Sequence, residues 1–551
     1  MSPILAAVLC FCLYLIGFKF YGKYLGRRIF RLDPKATTPA HELNDGVDYV
    51  PANRWVLFGH HYASIAGLSP MLGPAIAVIW GWVPAMLWVV LGTLFIGAVH
   101  DFSALVISMR AKGMSVGKVA EDIVGPRAKS LFHIIIFFLI GLAMGVFVHV
   151  SATLLTTQYN PQAIYPSGTL MVVALVVGWL VYKRNASIKK ATAVAFAVTL
   201  LSVWMGVQLP SPDLSLGQWS VILLVYSLAA SVLPVWSLLQ PRDYINSLLL
   251  YLGLFLIYTG FFWLGPEFAA PAVQTHPPGA PPIFPFVFIV IACGAVSGFH
   301  GLVSSGTTAK QINRETDATF IGYGGMIGES LLGLVSVLAC TAGFLTRDLW
   351  MAHYQTWDTA LGLGPNMKAF IDGAALFMSQ LGIPLELSKA FVALIAISFA
   401  LTTLDSATRL LRFNISEIGE TLGVGILSNR YVASLGAVAT IGFFAFYRVD
   451  GKAAGLALWQ LFGTTNQVLA ALTLLTVTLY LMHRRRPFWF TGVPMLFMLV
   501  TTLVAMSYKM ADFWNSGAHL LLVVGGIIVA LSLWLGVEAA LRLRRGMGKP
   551  S

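Results

Sequence analysis

The sequence contains few charged residues. Only 11% of its 551 residues are Asp, Glu, Lys or Arg, whereas 57% are hydrophobic and the mean hydropathy is +0.79. This composition excludes a soluble globular protein and indicates an all-α polytopic membrane protein, whose segments approach the roughly 20 apolar residues that cross a bilayer. The formal net charge of +12 is explained by membrane topology, so no nucleic-acid partner is predicted and the lipid bilayer is the expected environment.

Cysteine is scarce, and several sequence motifs are missing. The four cysteines lie in apolar segments without metal-site spacing or a disulfide framework, which indicates packing residues: Cys10, Cys12, Cys293 and Cys340. No phosphate-binding loop is present, which argues against direct use of ATP. No Lys or Arg precedes the first apolar segment, which is the reverse of a signal peptide and predicts a retained helix with its N-terminus outside.

Long apolar segments follow one another along almost the whole chain. We count about 15 predicted spans, at 3–22, 56–82, 83–108, 131–152, 167–183, 191–209, 219–239, 245–265, 283–304, 321–345, 386–408, 431–447, 455–482, 488–507 and 517–541. When these alternate from an outer N-terminus, the segments predicted to face inward hold 29 of the 35 Lys and Arg residues. Such asymmetry is what the positive-inside rule requires. The C-terminus is therefore predicted to be cytoplasmic.

One predicted span is too polar for a helix that faces lipid. It reads "FGHHYASIAGLSPMLGPAIA" (58–77), and a shift of 239 residues leads to "SGFHGLVSSGTTAKQ" (297–311). The shift aligns two glycines and a histidine: Gly59, His61 and Gly67 with Gly298, His300 and Gly306. The two spans run in opposite directions in the predicted topology, as the discontinuous helices of inverted-repeat transporters do.

Unwound backbone survives at membrane depth only inside protein or along a wet cavity. We therefore predict that both spans are broken around a central solute site. The residues predicted to line it are His61, Ser64, Gly67, His300, Ser304, Ser305 and Gly306. The alternative is that these small residues only let helices pack closely.

Ionisable residues inside spans are candidates for ion coupling. Asp101 and Glu329 have no partner of opposite charge within reach on their own helices, and we predict that they carry the coupling proton. Asp405 follows Thr402 and Thr403, a set that could instead bind sodium, although Asp405 could simply pair with Arg409 one helical turn away. The choice between H+ and Na+ stays open.

Histidines and amides supply further candidates. His60 and His100 are secondary candidates, but the histidines show no HExxH motif, no i, i+4 pair and no contribution from cysteine, so no metal is predicted. Asn466 and Gln467 are expected to make hydrogen bonds between helices, or to face the cavity.

Five strings together resemble the carbon starvation protein A (CstA) family of bacterial inner-membrane transporters. They are "NDGVDYVPANRWVLFGHHYASIAGLSPMLGPAIA" (44–77), "GAVHDF" (97–102), "SGFHGLVSSGTTAKQINRETDATFIGYGGM" (297–326), "FALTTLDSATRL" (399–410) and "LFGTTNQVLAALTLL" (461–475). The resemblance implies uptake of peptides, or of pyruvate with protons in a close branch. It also implies a LeuT/APC-like core of five-plus-five inverted repeats, in which a hydroxyl pair such as Thr402 and Thr403 often binds sodium. Family members often have Gln where this chain has His100.

The resemblance also suggests how the chain is divided. Residues 1–360 would form the N-terminal CstA-type region, with the first repeat at about 56–209 and the start of the second at about 283–345. Residues 361–551 would form a C-terminal region of five spans.

The function predicted from these features is ion-coupled secondary transport, with a proton as the expected ion. The expected substrate is a small nutrient, a peptide or pyruvate, taken up across the bacterial inner membrane without any cofactor. The alternatives are a passive channel for small organic solutes and an intramembrane metalloenzyme. An enzyme is not expected, and the sequence does not give the oligomeric state.

Overall fold

The computed structural model describes residues 1–46, 48–360, 362–449, 452–453 and 455–544, and these residues are almost entirely helical. The only strands among them are β1 (Arg448–Val449) and β2 (Lys452–Ala453), which pair antiparallel.

The α-helices are numbered in chain order. The first eleven are α1 (Pro3–Ile16), α2 (Pro39–Glu42), α3 (Arg54–Ile65), α4 (Ser69–Ala77), α5 (Trp82–Leu87), α6 (Ala98–Arg110), α7 (Val116–Ile123), α8 (Pro126–Leu154), α9 (Ile164–Arg184), α10 (Ile188–Gln208) and α11 (Leu216–Val232). The remaining twelve are α12 (Leu239–Leu264), α13 (Ile283–Val290), α14 (Gly298–Gly306), α15 (Gly324–Ala342), α16 (Arg347–His353), α17 (Trp357–Ala360), α18 (Leu363–Ser379), α19 (Leu385–Leu422), α20 (Arg430–Phe446), α21 (Gly455–His483), α22 (Trp489–Asn515) and α23 (His519–Arg544).

Several helices continue in wider or tighter turns. The π-helical segments are Gly17–Gly22, Leu25–Ile29, Trp88–Gly97 and Thr319–Tyr323. The 3₁₀ segments are Val78–Trp80, Pro161–Ala163, Thr308–Lys310, Glu315–Asp317 and Gly425–Ser428.

Within the described residues, eleven helical stretches are long and apolar enough to cross a membrane, and the bent pair α3–α4 makes a twelfth. The predicted count of about 15 is not reached, because three predicted spans fall short of that length. Helices α11 and α20 have 17 residues each, and the segment at 283–304 is interrupted. The predominantly helical architecture with many spans agrees with the sequence analysis.

The first polar span is broken near its middle. Helix α3 ends at Ile65 and α4 starts at Ser69, and the two axes differ by 47°. Pro70 in the first turn of α4 lacks an amide hydrogen, which suits a helix start. At the bend, a Cβ on Gly67 would lie 2.6 Å from Oγ1 of Thr403, so only glycine allows this approach.

The second polar span is broken for longer. Helix α13 ends at Val290 and α14 starts at Gly298, and between them Gly294 has a φ of +91°, which favours glycine. A Cβ on Gly294 would lie 3.2 Å from Cα of Pro70, so the second interruption lies against the first turn of α4, directly after the first interruption.

The register predicted for the repeat needs correction. A shift of 239 residues carries the first interruption (66–68) to 305–307, where α14 ends. The second interruption lies earlier, at 291–297. The motif around His300 therefore follows the break, whereas the motif around His61 precedes it.

The connecting segments gather at two ends of the molecule. At one end Ala52 bridges to Ile312, Arg110 pairs with Glu315 at 2.7 Å and Lys112 pairs with Glu42 at 3.0 Å. At the other end, segment 271–278 donates to or accepts from backbone groups at 80–83 and 357. The loops joined by these contacts are ones that the sequence predicted to share a side. Arg242, assigned to an inner loop at 240–244, is fully buried in α12.

Helix α19, 38 residues long, runs through the centre of the protein. It packs against α3, α8, α12 and α20, so helices from both predicted regions share one core. The boundary near residue 360 stays a prediction.

Candidate functional site

Three helices bring two carboxylates and two histidines together in the core. We call His100, Asp101, His300 and Glu329 the central cluster. Nδ1 of His300 lies 3.0 Å from Oδ2 of Asp101 and 3.4 Å from Oε2 of Glu329, and all four residues are fully buried. His300 on α14 therefore bridges carboxylates from α6 and α15.

Unwound backbone also takes part in the central cluster. The amide of Gly294, inside the second interruption, donates to Oε1 of Glu329 at 3.1 Å. On the opposite side, Nδ1 of His100 lies 2.8 Å from Oδ1 of Asp101, so each oxygen of Asp101 contacts an imidazole. The second interruption therefore positions Glu329 directly, through the amide of Gly294. It is linked to Asp101 through His300.

Several buried atoms near the centre have no hydrogen-bond partner among the described residues. They are Oε2 of Glu329, Oγ of Ser304 and Nε2 of His61, His100 and His300. Because buried polar groups in folded proteins are nearly always paired, these atoms are available to a proton or a solute.

The predicted residues of the first broken span lie around its bend. Thr403 donates from Oγ1 to the carbonyl of Ser64 at 3.4 Å, and it also lies against Gly67. His61 contacts Oγ1 of Thr308 through Nδ1 at 2.9 Å, which ties α3 to the chain just after α14.

A second set of buried charges lies apart from the first, and we call it the arginine cluster: His60, Tyr226, Arg242, Asp243 and Asp405. The Arg242 guanidinium contacts Oδ2 of Asp405 and lies 2.8 Å from Oδ1 of Asp243. The hydroxyl of Tyr226 donates to Asp405 at 2.6 Å, and His60 contacts Asp243 at 2.8 Å. One permanent cation therefore holds two carboxylates.

The partner of Asp405 corrects one alternative from the sequence. Asp405 pairs with Arg242, whereas Arg409 donates to the backbone carbonyls of Ala230 and Leu233. Sequence reasoning missed Arg242 and placed it in a loop. The sequence feature that could have located Arg242 is "QPRDY", in which a charged pair follows a proline at the start of an apolar segment. This pattern also fits a helix that begins inside the protein.

The hydroxyls proposed for sodium already have protein partners. Thr402 accepts from the amide of Asn246 at 3.0 Å and donates to the carbonyl of Ser398 at 2.9 Å. Thr403 donates to the carbonyl of Ser64.

Two amides on α21 support the second interruption. Asn466 accepts from the amide of Phe299 at 2.9 Å, and Gln467 donates to the carbonyls of Phe288 and Val296 at 3.0 and 3.1 Å. They satisfy backbone groups that the broken helix leaves free.

The remaining predicted residues, Ser305 and Gly306, line a different space. They belong to the wall of a cavity of about 220 Å3 at the end of the protein where Arg110 meets Glu315. Lys310 also lines this cavity, and burial lowers the pKa of its ammonium group.

One cysteine lies near the central cluster, contrary to the sequence argument that none contributes there. Sγ of Cys293, a nitrogen of His300 and an oxygen of Glu329 lie within 4.8 Å of one another. These are donor types that zinc accepts. Cys293 also donates to Oγ of Ser297 at 3.2 Å, so its thiol has a protein partner.

Comparison with known proteins gives one consistent result. The family model described as "Carbon starvation protein CstA" matches residues 2–360 and 356–505. "Peptide transporter CstA" of Campylobacter jejuni is 32% identical over 91% of this chain and 79% of its own length. The protein of the same name from Bacillus subtilis is 32% identical over 91% of this chain and 89% of its own length. "Pyruvate/proton symporter BtsT" of Escherichia coli is 31% identical over 90% and 80%.

A solved structure of the Eremococcus coleocola manganese transporter has a TM-score of 0.42 and 14% identity, covering 90% of this chain and 99% of its own. A similarity at that level is too distant to define the fold.

Proposed function

The chain belongs to the carbon starvation protein CstA family, and from this we propose that it takes up peptides or pyruvate together with protons. The relatives it matches are named as transporters, not enzymes. The observation that carries the coupling mechanism is the contact of His300 with both Asp101 and Glu329 in a fully buried position.

The central cluster has the composition of a site that binds and releases a proton. It holds two carboxylates and no permanent cation, so a proton shared with His300 offsets the cost of burying both acids. Because His300 and Gly294 belong to the broken span, protonation of Glu329 would weaken contacts that hold that span in place. This links proton binding to a change in access.

The contacts within the arginine cluster favour a proton, and not sodium, as the coupling ion. Arg242 already places a positive charge on Asp405, and Thr402 is hydrogen-bonded to Asn246. A sodium ion at Thr402, Thr403 and Asp405 would have to displace a guanidinium and an amide. The same residues therefore act as a fixed anchor for the first broken span through His60 on α3.

Alternating access would then come from the two interruptions, the second of which packs through Gly294 against Pro70 at the start of α4. The proposed core consists of two inverted repeats of five helices, with α3–α4 and α13–α14 as the discontinuous members. Solute would bind beside them, near His61, Ser64, Gly67, His300 and Ser304. Residues 1–360 and 361–551 would be the two regions of this inner-membrane protein, with the N-terminus outside and the C-terminus in the cytoplasm.

Uptake by the purified protein in liposomes tests the proposal. Labelled pyruvate and a labelled dipeptide should each be offered with an inward proton gradient, with an inward sodium gradient, and with neither. Accumulation of one of them that requires the proton gradient and is abolished by an uncoupler supports the proposal. Uncoupler-insensitive flux would instead indicate a passive channel. Elemental analysis of the same sample tests whether Cys293, His300 and Glu329 hold a metal.

A further inference from the structure

The cavity of about 220 Å3 beside Ser305 and Gly306 has no role in the coupling mechanism. These two residues lie at the end of α14, and Ser305 follows His300 by five positions, about 7.5 Å along the helix axis. Met114, which is 36% exposed, also lines the cavity. The cavity therefore lies between the central cluster and one end of the protein. Its volume is below the roughly 300–1,000 Å3 of pockets for drug-sized ligands, which indicates a small solute.

Lys310 is the distinctive group in the cavity wall. Its Nζ lies 5.3 Å from the ring centroid of Tyr49 and 5.0 Å from that of Phe413. The two rings attract an ammonium group but carry no net charge that could neutralise it. Within the described residues, Lys310 takes part in no direct ion pair. Nearby carboxylates, among them Asp48 and Glu417, act on its charge without forming such a pair. A largely buried ammonium group without a directly paired counter-ion favours the binding of an anion.

The other charged groups that line the cavity already have partners. Lys118 pairs with Glu121 at 2.5 Å. The Glu417 carboxylate lies 3.2 Å from Nε2 of His133 and accepts from Ser115 at 3.4 Å. These contacts leave Lys310 as the group to which an entering carboxylate can bind.

We propose that this cavity is a second solute site, in which Lys310 binds the carboxylate of the transported solute as it passes between the central cluster and the solution. The inference rests on the proposed function, because it takes the solute to be a small carboxylate. Pyruvate and peptides share that group, so the site would serve either of them.

The test is the effect of Lys310→Cys on solute affinity measured separately on the two faces of the reconstituted protein. Counterflow of labelled pyruvate, or of labelled dialanine if that is the substrate, gives a half-saturating concentration on each side. Loss of a charge-assisted contact should raise this value about tenfold on the cavity side and leave the other side unchanged. Lys112→Cys is the matched control, because Lys112 pairs with Glu42 outside the cavity.

Chemical restoration of the charge separates binding from folding. Treatment of Lys310→Cys with 2-aminoethyl methanethiosulfonate adds a cation after folding and should restore the affinity, whereas the sulfonatoethyl reagent should not. The unsubstituted protein serves as the reagent control, since Cys12 is exposed. An unchanged value on the cavity side, or an equal rise on both sides, would overturn the inference.

A second measurement covers the case in which Lys310→Cys does not fold. Acetylation of Lys310 in the unsubstituted protein, followed by mass spectrometry, should be slowed by pyruvate or dialanine but not by the corresponding amide. Equal labelling with and without the acid contradicts the inference. Absence of any proton-driven uptake by the unsubstituted protein would overturn the proposed function instead, so the two failures are distinguishable.

Discussion

The central cluster and the arginine cluster are both built from buried carboxylates and histidines, yet they differ in their cations. In the central cluster, Asp101 and Glu329 pair with imidazoles and with no Arg or Lys among the described residues, and Glu329 also accepts from the amide of Gly294. In the arginine cluster, Asp243 and Asp405 share the guanidinium of Arg242. Arginine keeps its charge at any physiological pH, whereas histidine does not.

From this difference we infer separate tasks for the two clusters, although both contain acids and histidine. A cluster whose positive charge is a proton can change its charge during transport. A cluster whose positive charge is covalently fixed cannot, and removing that charge leaves two acids buried without a permanent cation. We therefore expect changes in the arginine cluster to act on stability, and changes in the central cluster to act on coupling.

The largest expected effect comes from Arg242→Met. It leaves Asp405 and Asp243 buried without their cation, and breaking a buried pair in this way typically costs about 3–5 kcal/mol. Folded yield and thermal unfolding in detergent measure the loss. Lys368→Met is the control, since its pair with Asp372 is half exposed and is expected to contribute less than about 1 kcal/mol. If Arg242→Met were as stable as the unsubstituted protein, the arginine cluster would not have the stabilising role that distinguishes it from the central cluster.

The next effect is on coupling and comes from Glu329→Gln. The amide oxygen can still accept from Gly294, so the fold should be retained, but the side chain can no longer carry a proton. Accumulation of solute against its gradient should be abolished, while counterflow exchange continues in part. Both are measured in liposomes with and without a proton gradient. Unchanged accumulation would refute the role of Glu329.

The sequence predicted much of the central cluster, for a local reason. Glycine, proline and serine beside His61, and glycine and serine around His300, marked spans that do not suit lipid, and those spans are broken. Asp101 and Glu329 were found because neither was expected to have a partner of opposite charge on its own helix. For Asp101 that expectation was wrong, since His100 on the same helix contacts it at 2.8 Å. The structure adds that His300 contacts both acids.

The arginine cluster depends on contacts that local patterns do not contain. Arg242 and Asp405 are 163 positions apart, and Arg409, only four positions from Asp405, was the alternative that spacing suggested. The positions of the two interruptions likewise depend on the packing of Gly67 and Gly294 against distant helices. A shift of 239 residues therefore aligns the two sequence motifs but does not align the two helix interruptions. Such pairings follow from the packing of distant helices.

A smaller effect should separate the two histidines of the central cluster. His300→Gln should reduce proton-driven uptake about tenfold or more, because a neutral amide cannot carry the proton between Asp101 and Glu329. His100→Gln should change it by less than about threefold, since a glutamine amide can still donate to Asp101. Initial uptake rates at equal protein density measure both. Equal losses in the two variants would contradict the assignment of the bridge to His300.

The smallest expected effect is that of removing sodium. If Arg242 supplies the positive charge beside Asp405, replacement of sodium by choline at a fixed proton gradient should leave the uptake rate unchanged to within about twofold, because no sodium has to bind at Thr402 or Thr403. An uncoupler in the same assay provides the positive control for loss of driving force. Uptake that falls with sodium would mean that the guanidinium leaves Asp405 during the cycle. The arginine cluster would then be a second coupling site, and the contrast between a fixed and an exchangeable charge would no longer hold.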